Sequence, residues 1–233
     1  MAPRTRKSER RTDALSRERI VKAAVELLDT TGAGGLTFRT LTERLDTGPG
    51  AIYWHVANKD ELLAAATDAV VAAALAIEPA EPPNSPQDEI RAVALGLFEA
   101  IEQHPWLAAQ LAVQFSRSPW GSVAPRIFEG IGRQVPALGV PKGNWFTATS
   151  ALVHYVLGAA GQTATNITSV RALGPGVDRA EFLGSVSTVW AQLDPDDYPF
   201  TRAVVAEVRE HDDREQFLAG IDLILAGLTA PRR

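Results

Sequence analysis

Apolar residues recur at helical spacing along most of this chain. Ile20, Ala23, Ala24, Leu27 and Leu28 fall at i, i+3, i+4, i+7 and i+8, the spacing of one buried helix face. Ser16 precedes the stripe as its N-cap, Glu18 occupies the first turn, and the glycines of 32–35 end it. Phe38, Leu41 and Leu45 then predict a helix of about two turns over 37–45. Asp46, Thr47 and Gly48 break it. Pro49 suits the first turn of a further short helix, where its missing N–H costs nothing. Asn58 caps a longer helix reaching about residue 77, with Leu62, Ala66, Ala69, Val70 and Ala73 on one face. Its alanine content makes it strongly helical.

Residues 78–86, EPAEPPNSP, hold four prolines in nine positions and mark a domain boundary. Helices follow at about 86–103, 106–117, 122–134, 144–165, 179–192, 200–210 and 212–228. Pro105, Pro119, Pro136, Pro141, Pro175 and Pro195 punctuate them. No run alternates with period two, so the expected fold class is all-α. The organisation reads as a basic flexible arm over 1–15, a three-helix head over 16–60, a connecting helix over 61–77 and a helical body over 86–233.

The net charge of −5 looks wrong for a nucleic-acid binder until it is divided. Residues 1–60 carry +3 and residues 61–233 carry −8. Arg4, Arg6, Lys7, Arg10 and Arg11 crowd the first eleven positions against Glu9. A positive head on an acidic body orients a molecule towards a polyanion, although such a run also reads as a solvated, disordered tail. The absence of cysteine excludes disulfides, zinc–thiolate sites and cysteine nucleophiles. The N-terminus lacks the apolar segment of a signal peptide. The apolar stretch 144–167 contains Asn144, His154, Gln162 and Asn166 and reads as a buried helix, with no membrane contact. The cytoplasm is the expected compartment, with nucleoid association when bound to DNA.

Catalytic chemistry finds no footing. HExxH, GxSxG and a glycine-rich phosphate loop are absent. His211, Asp212 and Asp213 are consecutive and diverge on a helix, so one of the aspartates reads as an N-cap. No enzyme activity, metal or cofactor is expected.

Two short helices joined by a tight, glycine-bearing turn, within residues 36–59, read as a helix-turn-helix, which places its second helix in the DNA major groove. IYWHVANKDELL resembles the end of the reading head in the TetR family of transcriptional repressors, and YWHV resembles its tetracycline-repressor branch. FLAGIDLILAGL at 217–228 is similar to that branch's closing helix. The resemblance implies an all-helical homodimer whose N-terminal heads bind a palindromic, double-stranded operator. Its C-terminal bundle would dimerise and hold a small lipophilic effector that releases DNA. A regulator without such an effector, constitutive or controlled by a protein partner, is the alternative.

By the family pattern, Thr37, Arg39, Pro49, Gly50, Ala51, Tyr53, Trp54, His55 and Lys59 are the DNA contacts. Gly50 lets the backbone approach, and Ala51 offers a methyl to a thymine methyl. Thr37, Tyr53, His55 and Lys59 suit phosphates. Trp54 has a competing place in the core. The second helix carries no Arg or Lys, and Arg39 on the preceding helix is the only Arg or Lys there that the family pattern directs at a base edge, while Glu43 and Arg44 read as solvated. Leu152, Val156, Ala160, Ile221 and Leu225 are the expected dimer interface, since the helices around 145–164 and 217–228 are apolar on more than one side, with Gly220 and Gly227 permitting close approach. Trp106, Gln110, Gln114, Phe128, His154 and Gln162 are the expected effector pocket. Tetracycline repressors hold their drug partly through a histidine and an asparagine. Those positions fall on Leu75 and Val93 here, which favours a more apolar effector.

Overall fold

The computed structural model describes residues 15–77, 83–172 and 179–230, with backbone alone for 170–172. The basic arm lies almost wholly outside them. The described residues are helical, with no strand. Two compact units divide at Val70 and Val71.

The first unit contains α1 (Arg17–Gly35), α2 (Phe38–Leu45), α3 (Pro49–Tyr53) and the start of α4 (Lys59–Ala76). Three of these starts follow from a side-chain cap, and α3 begins instead at Pro49 after Gly48. Ser16 accepts from the Arg19 N–H, Thr37 and Thr40 form a reciprocal capping box, and Asn58 accepts from the Glu61 N–H at 2.8 Å. The glycines after α1's apolar stripe do break its regular path: Gly32 sits at φ +67°, a conformation that favours glycine. Ile20, Leu28, Leu36, Leu41, Ile52, Val56 and Leu62 form the small core, each at most 1% exposed.

The second unit contains α5 (Pro86–Gln103), α6 (Trp106–Arg117), α7 (Val123–Gly132), α8 (Trp145–Ala172), α9 (Arg179–Ala191), α10 (Pro199–Ala203), α11 (Val205–Arg209) and α12 (Asp213–Thr229). α8 is its axis and packs against α5, α6, α7 and α12. The helix expected over 200–210 is broken at Val204 (φ −94°, ψ 8°) into α10 and α11, and Arg202 donates to the carbonyls of Ala191 and Leu193. Phe98 of α5 stacks on Phe217 of α12 at 4.6 Å, and Arg91–Asp222 and Arg214–Glu99 ion pairs join the same helices. The end of α4 meets α5 at Gly96. A Cβ there would lie 3.0 Å from the Ala74 carbonyl oxygen, so only glycine fits without displacing backbone.

The interface expected at Leu152, Val156, Ala160, Ile221 and Leu225 is corrected here. All five are at most 2% exposed within one protomer and form its core. Gly220 is likewise used internally: a Cβ there would overlap the Tyr155 hydroxyl, which donates to the Phe217 carbonyl at 3.1 Å. The open side of these helices carries Gly158, Thr165, Leu223, Ala226 and Gly227 instead.

Candidate nucleic-acid interface and ligand cleft

Phe38 stacks on Tyr53 at 4.5 Å and 12°, which fixes the first turn of α2 beside the end of α3. Ile52 anchors α3 inward, and Pro49, Gly50 and Ala51 stand exposed. Trp54 is 87% exposed, so its competing place in the core is excluded. Thr37 is exposed at the N-terminus of α2, though its hydroxyl is already shared with the Thr40 N–H. His55 is half-buried near Glu18. Hydrogen bonds from its own N–H and the Ser16 hydroxyl hold the Glu18 carboxyl below its ordinary range, and Arg17 and His55 add to this.

The cations of the head are largely engaged. Arg17 pairs with Glu61 at 3.3 Å, and Arg39 donates through Nε to Glu43 at 2.9 Å. Arg44 donates to Glu26 through both Nε and Nη2. The Lys59 ammonium donates to the Ala33 carbonyl at 2.6 Å, so this expected phosphate contact also ties α4 to the end of α1. Residues 15–70 contain six basic and eight acidic side chains, a net charge of −2. The positive charge of the N-terminal part therefore resides in residues 1–14, at +3.

Open clefts lie between the helices of the second unit. One, of about 740 Å³, lies between α6, α7 and α8. Phe115, Phe128 and Phe146 line it in sequence, with ring centroids 6.2 and 5.9 Å apart, and Thr147, Ser150 and His154 supply polar groups. Another, of about 840 Å³, lies between α8, α9, α11 and α12 and includes Tyr155, Gln162, Phe182 and Trp190. On its wall Arg179 grips Asp213 with two hydrogen bonds, at 3.0 and 2.9 Å, and His211 adds a third at 2.7 Å. Burial pushes the Asp213 carboxyl up, but these partners outweigh it and hold the group below its ordinary range.

The six residues expected to form one effector pocket are not brought together. Phe128 and His154 line the first cleft and Gln162 the second, while Trp106, Gln110 and Gln114 line neither. Gln162 lies eight positions after His154, about 12 Å along the helix axis. Trp106 and Gln114 are directed into the interior, each 8% exposed, and Phe115, one residue on, faces the cleft. By contrast, Leu75 and Val93 do converge: both approach the position of a Cβ on Gly130, at 3.9 and 3.4 Å. The spot where the tetracycline branch would place a histidine and an asparagine is lined by hydrocarbon.

Residues 20–66 match the family described as bacterial regulatory proteins, tetR family, and residues 78–232 match the tetracyclin repressor-like C-terminal domain. The chain belongs to the TetR family. It is a helix-turn-helix, DNA-binding transcriptional repressor in a family of regulators rather than enzymes. It is 34% identical over 156 residues to an HTH-type transcriptional regulator of Saccharopolyspora erythraea, a match spanning 67% of this chain and 64% of that protein. It is 29% identical over 220 residues to the HTH-type transcriptional repressor DrrR1 of Streptomyces coeruleorubidus, covering 92% and 77% of the two chains. The structure of SCO7222, a TetR from Streptomyces coelicolor, superposes with a TM-score of 0.83 at 66% identity, covering 94% of this chain and all of that one. ActR of S. coelicolor in complex with actinorhodin shares the fold, with a TM-score of 0.72 at 23% identity over 93% and 97% of the chains. No described helix is long and apolar enough to cross a membrane.

Proposed function

We propose that this TetR-family repressor acts as a homodimer and leaves a palindromic operator when a small lipophilic effector binds its C-terminal unit. The observation that carries the reading is the phenylalanine-lined cleft between α6, α7 and α8, with three polar groups at Thr147, Ser150 and His154. Its volume of about 740 Å³ falls within the range of small-molecule sites, which are mostly apolar with a few orienting polar groups. The apolar meeting of Leu75, Val93 and Gly130 argues against a tetracycline-type polar clamp, and ActR, which shares the fold, holds actinorhodin.

On DNA, Thr37, Arg39, Pro49, Gly50, Ala51, Tyr53, Trp54, His55 and Lys59 remain the contact set. The dimer face moves to Gly158 and Thr165 of α8 with Leu223, Ala226 and Gly227 of α12. The effector must favour the arrangement that binds DNA poorly, or it shifts nothing. α4 is the element proposed to carry the change, because the carbonyl of Ala74 bears directly on Gly96 of α5.

A melting-temperature screen of aromatic lipophilic compounds identifies binders, since a ligand of the folded state raises stability. Titration of a binder into free and operator-bound protein then tests release. By reciprocity, operator must weaken the ligand by the factor with which ligand weakens operator. Phe128→Ala should weaken binding. Equal affinities in the two titrations would leave a constitutive or protein-controlled repressor.

A further inference from the structure

Two arginines project from α2, and they are held differently. Arg44 gives both Nε and Nη2 to Glu26 of α1, so its fork is occupied in tying two helices together. Arg39, in the first turn, gives only Nε, to Glu43 one turn on, and its side chain is 87% exposed. The terminal amines of Arg39 have no partner among the described residues. The Phe38–Tyr53 stack sets the backbone next to Arg39 beside α3, a helix that has no Arg or Lys of its own.

A guanine presents O6 and N7 to the major groove, and an arginine reads them with two parallel N–H groups. An end-on fork uses the two terminal amines, the groups left open when a carboxylate holds Nε. An arginine not held in this way swings among many rotamers and serves equally well as a point charge for a phosphate. An exposed i, i+4 ion pair contributes little to stability in water, and a carboxylate near DNA is repelled by phosphates. The arrangement therefore makes physical sense as a way to aim a side chain. We propose that Glu43 is a specificity-determining positioning residue, holding Arg39 by Nε so that its terminal amines read one guanine in each operator half-site.

The proposal rests on the operator-binding reading, and the test separates the two. Wild type, Glu43→Ala, Glu43→Gln, Arg39→Ala and the Glu43→Ala/Arg39→Ala double variant are each used to select from a duplex pool with randomised inverted half-sites. Glu43 is 61% exposed and α2 tolerates alanine, so these variants keep their fold, which circular dichroism verifies. Wild type should favour guanine at one position per half-site by about tenfold or more. Glu43→Ala should reduce that preference to about threefold or less. Glu43→Gln retains an amide oxygen able to accept from Nε and should keep most of it. In the Arg39→Ala background, Glu43→Ala should change the base preference no further, as expected for coupled residues. If Glu43→Ala and Glu43→Gln both tighten every duplex and leave the guanine preference intact, Glu43 is only a repulsive charge and the proposal falls. If wild type selects no palindrome, the operator-binding reading falls with it.

Discussion

Leu223→Glu separates the dimer face from the protomer core. Leu223 is 76% exposed on α12, while Ile221, two residues earlier, is fully buried. Full burial of a leucine contributes about 1.5–3 kcal/mol, so covering the exposed three-quarters contributes about 1–2 kcal/mol per protomer. A two-fold interface uses the residue twice, which gives about 2–4 kcal/mol per dimer. Its loss raises the dimer dissociation constant by about 30- to 700-fold, and burial of a carboxylate adds to this. Sedimentation equilibrium over a concentration series reads the constant directly, and a thermal melt followed by circular dichroism reports on the protomer. Leu223→Glu should give folded, helical monomers with weak operator binding. Ile221→Glu should instead lose the cooperative melt, because it places a charge within the α5–α8–α12 core. An unchanged dimer constant for Leu223→Glu would refute the assignment of this face.

Three further outcomes follow. Lys59→Ala should lower the stability of the head by about 1 kcal/mol through loss of the Ala33 contact and reduce the salt slope of DNA binding by about one; an unaltered denaturation midpoint would show that the Ala33 contact contributes nothing. Asp46 closes α2 at φ +49°, so Asp46→Gly should stabilise the head by about 0.5 kcal/mol, read from the same midpoint. Burial, then Glu99, Asp213 and Asp212, push the Glu102 carboxyl above its ordinary range, against Arg214. Its contribution to stability is thus present below the unfolded value of 4.5 and is lost as pH rises through the folded value. Glu102→Gln should accordingly melt higher than wild type at pH 7, and the two should converge in acid.

Local signals carried most of the architecture. Ser16, Thr37 and Asn58 are caps because short polar side chains satisfy the first free N–H groups of a helix, and that chemistry depends only on neighbours in sequence. The faces of α8 and α12 were not legible in the same way. A stripe covered by the protomer and one covered by a partner lose water alike, so Leu152 and Leu223 look equivalent as letters. The distinguishing signal was residue size: Gly158, Ala226 and Gly227 share the open side with Leu223, while the large residues Phe217 and Ile221 fill the core. The phenylalanine-lined cleft was legible only in part, through Phe128 and His154. Phe115 and Phe146 escaped selection because spacing does not show which turn of α6 or α8 faces α7. Glu43 reads as solvated from its letter alone, yet its i+4 distance from Arg39 is plain in the sequence.

The ion pairing of the head bears on how the repressor finds its site. Arg17, Arg39 and Arg44 each already sit beside a carboxylate, so on a random stretch of duplex they neutralise few phosphates and release few of the DNA's counterions. Sliding contacts made by residues 15–70 alone should therefore be short-lived, and the acidic second unit adds no attraction. Capture from solution is then expected to rest on the five basic residues before position 12, as a polycation attracts a polyanion. Loss of that short segment would slow arrival at the operator far more than it hastens departure, leaving a repressor of unchanged sequence preference that reaches its gene late.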